Sequence, residues 1–290
     1  MAPTELPAGL QQASLSADDA PALVDLVVEA GWNQIAADWR FMLNEGGGVG
    51  VRDSDNHWVA SGLCFPLGAH LSWISMVLTS EPWRRRGIGN ALLTHCIALV
   101  RDSGRAVGLD ATEFGRPVYA KAGFRDLYGI DRWRIAERPL AIEPPAGTAI
   151  REIVRGDLPA VANYDVARSA MRRDHVLRHL QGRVPALGFV ALQGEMPVGY
   201  MLGRDGRTAT HLGPVVADNL GVAQALISRA MAALGPPYLM DVPQRQRDIG
   251  SWLATAGAHA PRAYTRMLLG DAPGLEDATS IFAIAGPELG

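Results

Sequence analysis

Residues 70–101 constrain the fold of this chain more than any other stretch, because a strand pattern, a tight turn and a helix pattern follow one another without a break. His70 to Thr79 (HLSWISMVLT) is rich in residues that suit a pleated, half-buried strand. Ala91, Leu92, Ile97, Ala98 and Val100 are spaced as the packed side of a helix. Between them runs Trp83-Arg84-Arg85-Arg86-Gly87-Ile88-Gly89-Asn90. The first turn of a helix leaves backbone N–H groups without intrahelical partners and carries the positive end of the dipole, so anions bind there. Gly87 and Gly89 have no Cβ to hold an anion off the amides, and three arginines add charge. The turn reads as a seat for a phosphorylated cofactor. It is neither GxxxxGK[ST] nor a dinucleotide-type GxGxxG with an acidic residue about twenty positions on.

A second motif follows at Val107-Gly-Leu-Asp-Ala-Thr-Glu-Phe-Gly-Arg-Pro-Val-Tyr119-Ala-Lys-Ala-Gly-Phe124. Val107 to Asp110 reads as a short buried strand, Pro117 suits the first turn of a helix, and Gly123 suits its end. From Phe124 a final hairpin is expected to run to Ile135.

Arg84-x-x-Gly87-x-Gly89 followed by Tyr119-x-x-x-Gly123-Phe124 resembles the signature of the GNAT superfamily of N-acetyltransferases, Q/R-x-x-G-x-G/A with Y-x-x-x-G-F downstream. The resemblance implies an α/β (α+β) fold in which a mixed, mostly antiparallel central sheet is flanked by helices, and acetyl-CoA as co-substrate. It implies that Val77, Leu78 and Thr79 offer strand amides to the pantetheine arm and the thioester oxygen. Arg84 opens the phosphate motif, and Arg85, Arg86, Gly87, Ile88, Gly89 and Asn90 hold the pyrophosphate. Thr112 stands where relatives place an Asn or Ser that touches the cofactor and starts a helix. Tyr119 is implied to be the general acid that protonates the departing CoA thiolate; the alternative is a ring that only packs beneath the cofactor. The general base stays open among His70, Glu81, Asp110 and Glu113, a water chain, and an acceptor amine that arrives deprotonated.

Elsewhere in the first half, Leu10 to Leu15 reads as a strand and Ser16-Ala-Asp-Asp as the cap of a helix through Ala30. Ile35 to Asn44 is amphipathic, and Gly47 to Arg52 and His57 to Pro66 read as a hairpin around Asp53-Ser-Asp-Asn. The Pro-rich stretch Arg138 to Gly147 reads as an extended linker. After it the plan begins again. Ile150 onward parallels the first strand and helix start, and a helical segment runs through Leu180. Gly188–Leu192, Pro197–Arg204 and Ala209–Val216 look like strands, Leu220–Leu234 like the cofactor helix, and Tyr238–Pro243 like the strand after it.

The expected organisation is a catalytic domain over 1–137, a linker over 138–148, a divergent GNAT-like domain over 149–270 and an extension over 271–290. Gly213-Pro-Val-Val-Ala-Asp-Asn-Leu-Gly221 lacks the arginines and the R-x-x-G-x-G spacing, and Tyr119 has no match around Trp252–Ala258. The second unit is therefore expected to have lost the cofactor, serving either as scaffold or as a wall of the acceptor pocket. The ending, Tyr264-Thr-Arg-Met267 followed by Ile281-Phe-Ala-Ile-Ala-Gly-Pro-Glu-Leu-Gly290, resembles a bacterial family of tandem-GNAT acetyltransferases of the YitH type, a likeness that spans essentially the whole chain.

Composition narrows the function classes. A net charge of −3 over 290 residues argues against nucleic acid as a partner. Lys121 is the single lysine, which reads as GC-rich codon bias and a bacterial source. Cys64 and Cys96 are too few for a disulfide framework, and no histidine or cysteine spacing suits a metal. No apolar run reaches about eighteen residues, and Met1 to Gln12 lacks signal-peptide regions, so a cytoplasmic protein without membrane partners is expected. The leading expectation is an acetyl-CoA-dependent N-acetyltransferase, without metal, acting as monomer or homodimer on a small-molecule primary amine. A protein amino group, or a non-catalytic acyl-CoA sensor, are the alternatives.

Overall fold

The computed structural model describes residues 6–101 and 103–290. The chain divides into two compact units between Leu109 and Asp110. In the first unit, strands β1 (Gln11–Leu15), β2 (Gly47–Arg52), β3 (Trp58–Pro66) and β4 (Leu71–Thr79) form an antiparallel meander. Strand β5 (Ala106–Thr112) begins in this unit and joins β4 in parallel. Helices α1 (Ala20–Glu29), α2 (Ala36–Glu45) and α3 (Ile88–Arg101) accompany these strands.

Local chemistry explains the boundaries. The Asp19 carboxylate accepts hydrogen bonds from the backbone N–H and hydroxyl of Ser16, closing the chain into α1. Asp38 does the same for the N–H of Ile35 ahead of α2. The β2–β3 turn is held by Asp53, whose carboxylate accepts the N–H groups of Asp55 and His57. Leu23, Trp39, Met42, Leu63, Phe65, Trp73, Leu92 and Leu93 form the core of this unit.

The second unit contains α4 (Arg116–Lys121), β6 (Arg125–Ile135), β7 (Thr148–Glu152), α5 (Leu158–Ser169) and α6 (Asp174–Arg183). It continues with β8 (Phe189–Gln193), β9 (Met196–Arg204), β10 (Thr210–Ala217) and α7 (Leu220–Ala233). Last come β11 (Tyr238–Pro243), α8 (Arg247–Ala254), β12 (His259–Leu269) and β13 (Ile281–Ala283). Its strands lie in the order β12-β6-β11-β10-β9-β8-β7, with β13 on β10.

Three features differ from the sequence reading. Phe124 to Ile135 does not turn back as a hairpin; Arg125–Ile135 is one continuous strand. It is kept extended by pairing on both edges, from Ile135↔Tyr238 to Ile130↔Pro243 on one side and from Arg134↔His259 to Arg125↔Leu268 on the other. Secondly, the helical segment expected through Leu180 breaks at Ala170, whose φ of 57° is left-handed, so α5 and α6 are separate helices. Finally, the Pro-rich stretch after β6 is docked: Arg138 donates to the carbonyl of Leu234, Ile142 N–H to Ser228, and the Trp252 indole to the Leu140 carbonyl.

The interior of this unit is unusually ionic. Arg132 forms a bidentate pair with Asp241, both contacts at 2.7 Å, and His211 reaches the same carboxylate at 2.9 Å. Arg173 clasps Asp165, which also accepts the Tyr200 hydroxyl, and Arg266 clasps Asp110. Each charge is compensated by a partner on another element or turn, as burial demands.

Candidate active site

Strand β4 pairs with β5 only at Leu71↔Ala106, Ser72↔Val107 and Trp73↔Gly108. Beyond Trp73 no strand joins β4 on that edge among the described residues. On its other edge the register against β3 slips between Ser61 and Leu63. The slip coincides with Met76, whose φ of 51° is left-handed, and the buried Ser61 hydroxyl fixes it by donating to the Met76 carbonyl at 2.8 Å. Such a bulge re-aims the residues after it. Those residues are Val77, Leu78 and Thr79, of which Val77 and Thr79 are half-buried and Leu78 is buried.

The turn after β4 separates the three arginines by role. Arg84 folds back, its Nε donating to the Thr79 carbonyl at 3.0 Å and its guanidinium meeting Glu29. Glu29 also accepts the N–H of Glu81, so Arg84 and Glu29 together clamp the loop. Arg86 lies over the Trp83 ring at 5.0 Å. Arg85 (φ 60°) and Gly87 (φ 83°) are both left-handed while Arg86 between them is not, an alternation of the kind that suits an anion nest. α3 starts at Ile88 with no acidic residue in its first turn. A Cβ on Gly89 would meet nothing nearer than the Thr79 hydroxyl at 3.8 Å, so the fold itself does not demand glycine there.

Tyr119 and Thr112 belong to the second unit. The Thr112 hydroxyl accepts the N–H of Gly115 at 3.1 Å and so opens α4, one of the two roles the resemblance gives it. Tyr119 lies on α4 with its ring against Gly115, where a Cβ would sit 2.8 Å from Cε2. Its ring also meets Phe124 at 6.0 Å. Nearby Phe114 is 91% exposed and Val118 is exposed as well, an apolar surface that sequence patterning did not single out.

The base candidates separate clearly. The Asp110 side chain is fully buried and held at 2.8 and 2.9 Å by Arg266; burial pushes its carboxyl up while Arg266 opposes that shift. A carboxylate committed in this way is a structural anchor. His70 precedes β4 and is exposed at the end opposite Thr79, whereas Glu81 and Glu113 are exposed beside the two motifs. Both cysteines are buried; burial pushes the Cys64 thiol up to about 12 and the Cys96 thiol higher still, which suits core residues. Among the described residues no cluster of His, Cys, Asp and Glu has a metal-binding arrangement, and no helix is long and apolar enough to cross a membrane.

The corresponding helix start in the second unit has different chemistry. Asn219 caps α7 by accepting the Val222 N–H at 3.0 Å, so a side chain already serves the amides. Asp218 stands beside it, tied to Tyr164 and Arg168.

The first unit thus brings together a strand pair that parts after Trp73↔Gly108 and a left-handed turn at the start of α3. Residues 18–124 match the family model described as Acetyltransferase (GNAT) family, and residues 161–283 match that described as Acetyltransferase (GNAT) domain. The chain belongs to the GNAT acetyltransferase family, carries two such domains in tandem, and is an N-acetyltransferase. It is 25% identical over 240 residues to the uncharacterized N-acetyltransferase YitH of Bacillus subtilis, covering 82% of this chain and 83% of that one. A putative acetyltransferase from Pyrococcus horikoshii shares the fold with a TM-score of 0.80 at 20% identity, over 99% of this chain and 98% of that one. A tandem GNAT protein from the clavulanic acid biosynthesis pathway superposes with a TM-score of 0.61 at 17% identity, over 90% and 98% of the two chains.

Proposed function

We propose that the protein transfers the acetyl group of acetyl-CoA to the primary amine of a small molecule by direct attack on the thioester. The observation that carries this reading is the left-handed turn of Arg85 and Gly87 at the start of α3, with no close contact at Gly89. These features suit a pyrophosphate, and the first unit alone carries the R-x-x-G-x-G spacing.

The uncharged amine attacks the carbonyl carbon and loses a proton to solvent or a base. The oxyanion collapses, the C–S bond breaks, and the CoA thiolate takes up a proton. Strand amides at Val77 to Thr79 would hold the arm and polarise the carbonyl, Arg85 to Asn90 the pyrophosphate, and Tyr119 would supply the proton. Holding both reactants in line supplies about 7–11 kcal/mol of the acceleration. We assign catalysis to residues 1–137 and read residues 149–270 as a divergent partner domain joined by the 138–148 linker.

The test follows free thiol release from acetyl-CoA against a panel of amino acids, amino sugars, polyamines and peptide N-termini. Turnover with a small amine supports the proposal. Turnover with peptides alone transfers it to protein acetylation, and tight CoA binding with no turnover makes the protein a sensor.

A further inference from the structure

The second unit has a parting strand pair of its own. β10 and β11 pair in parallel only at Thr210↔Tyr238 and His211↔Leu239. β10, like β4, carries an irregularity, between Leu212 and Val215, where its register against β9 slips. Parted parallel strands leave inward-facing amides and carbonyls that must find partners. In this unit the partner is the chain itself.

Residues 281–284 run into that fork. β13 pairs antiparallel with β10 through Ala283↔Val215 and Ile281↔Val216, and the Ala217 N–H donates to the Ser280 carbonyl at 3.0 Å. On the other side the Ile284 N–H donates to the Asp241 carbonyl of β11 at 2.9 Å. The Ile284 carbonyl oxygen lies 2.1 Å from where a Cβ on Gly213 would stand, so this position must lack a side chain for the segment to fit. Ile281, Phe282, Ala283, Ile284 and Ala285 are all buried. The following residues are anchored by buried cations: Glu288 pairs with Arg204, and the Gly290 carbonyl accepts from Arg173.

We infer that residues 281–284 are the resident occupant of the second unit's strand fork, so that this fork takes no thioester cofactor. An extended segment bonded to both strands uses the same backbone groups that an amide-bearing ligand arm would need. At the far end, Asn219 caps the helix start where an anion would otherwise bind, and Asp218 is an adjacent negative charge. The inference goes beyond the proposed reaction, and it stands whether or not the first unit binds acetyl-CoA.

The full-length chain tests it without substitution. Hydrogen–deuterium exchange is followed across residues 278–290 with and without saturating acetyl-CoA, and native mass spectrometry counts bound cofactor. The expected result is slow exchange at 281–284, unchanged by acetyl-CoA, with at most one cofactor per chain. Loop-like exchange within seconds, loss of protection on adding acetyl-CoA, or two cofactors per chain would each overturn it. A chain that binds no cofactor yet keeps 281–284 protected sinks the cofactor reading of the first unit and supports this one.

Discussion

Replacing Gly108 by alanine probes the pivot at which β4 and β5 part. Trp73↔Gly108 is the last pair between the two strands, and the fully buried Trp73 ring lies directly over the glycine. An alanine Cβ would stand 2.3 Å from Cζ3 and 2.6 Å from Cε3. Carbon atoms pack at about 3.5–4.0 Å, so the ring or β5 must shift by more than about 1 Å. The indole is rigid and fully enclosed, which places the cost within the overpacking range of about 1–3 kcal/mol, toward its upper end. Urea unfolding followed by tryptophan fluorescence measures the loss, with Gly47→Ala as control because a Cβ there meets nothing within 4 Å. The control is expected to stay within about 0.5 kcal/mol of the parent. Because the displaced pair borders the edge proposed to bind pantetheine, acetyl-CoA affinity should fall together with stability. A Gly108→Ala protein as stable as Gly47→Ala would refute the packing argument.

Other expectations follow from the same geometry. Gly89→Glu should fold normally, since a Cβ there meets only the Thr79 hydroxyl at 3.8 Å, yet lose acetyl-CoA binding in a calorimetric titration; normal affinity would remove residues 85–90 from the cofactor seat. Tyr119→Phe should lower kcat by about 10²–10⁴-fold, the span of general acid catalysis, with little change in CoA affinity, whereas unchanged kcat would leave the tyrosine a packing role. Burial holds His211 below the usual imidazole range despite its bond to Asp241, so the native state resists a proton that the unfolded chain accepts near pH 6.5. Stability should therefore fall as pH drops below about 6.5, by up to about 1.4 kcal/mol per pH unit from this group. Burial would raise Asp241, but Arg132 and His211 hold it low, so its stabilisation is present above about pH 3.9 and is lost only at more acidic pH. His211→Gln should flatten the profile between pH 7 and 5; a slope parallel to the parent would assign the limb to other groups.

Much of the fold was legible because its determinants are local. The Ser16–Asp19 cap, the Asp53 turn, the strand pattern of residues 70–79 and the glycine-punctuated start of α3 use partners a few residues apart. The repeat of the strand and helix order after residue 148 was readable for the same reason. Side-chain commitments were not. Arg84 and Arg85 are indistinguishable as letters, but only the fold brings Glu29 to Arg84 and sets Arg85 left-handed. Likewise Asp110 read as a possible base until Arg266, far away in sequence, was found bound to it.

By itself, then, the sequence determined most of the strands and helices up to Pro243 and the duplicated plan, through short-range periodicity and turn chemistry, and carried a signature that resembles that of the GNAT acetyltransferases. Tertiary structure alone decided that β6 continues unbroken between β12 and β11, and that residues 281–284 enter the fork of β10 and β11. The reason is physical. A strand's apolar alternation states that it will be buried, whereas its backbone N–H and C=O groups are alike in every residue and pair with whichever edge the assembled core brings alongside.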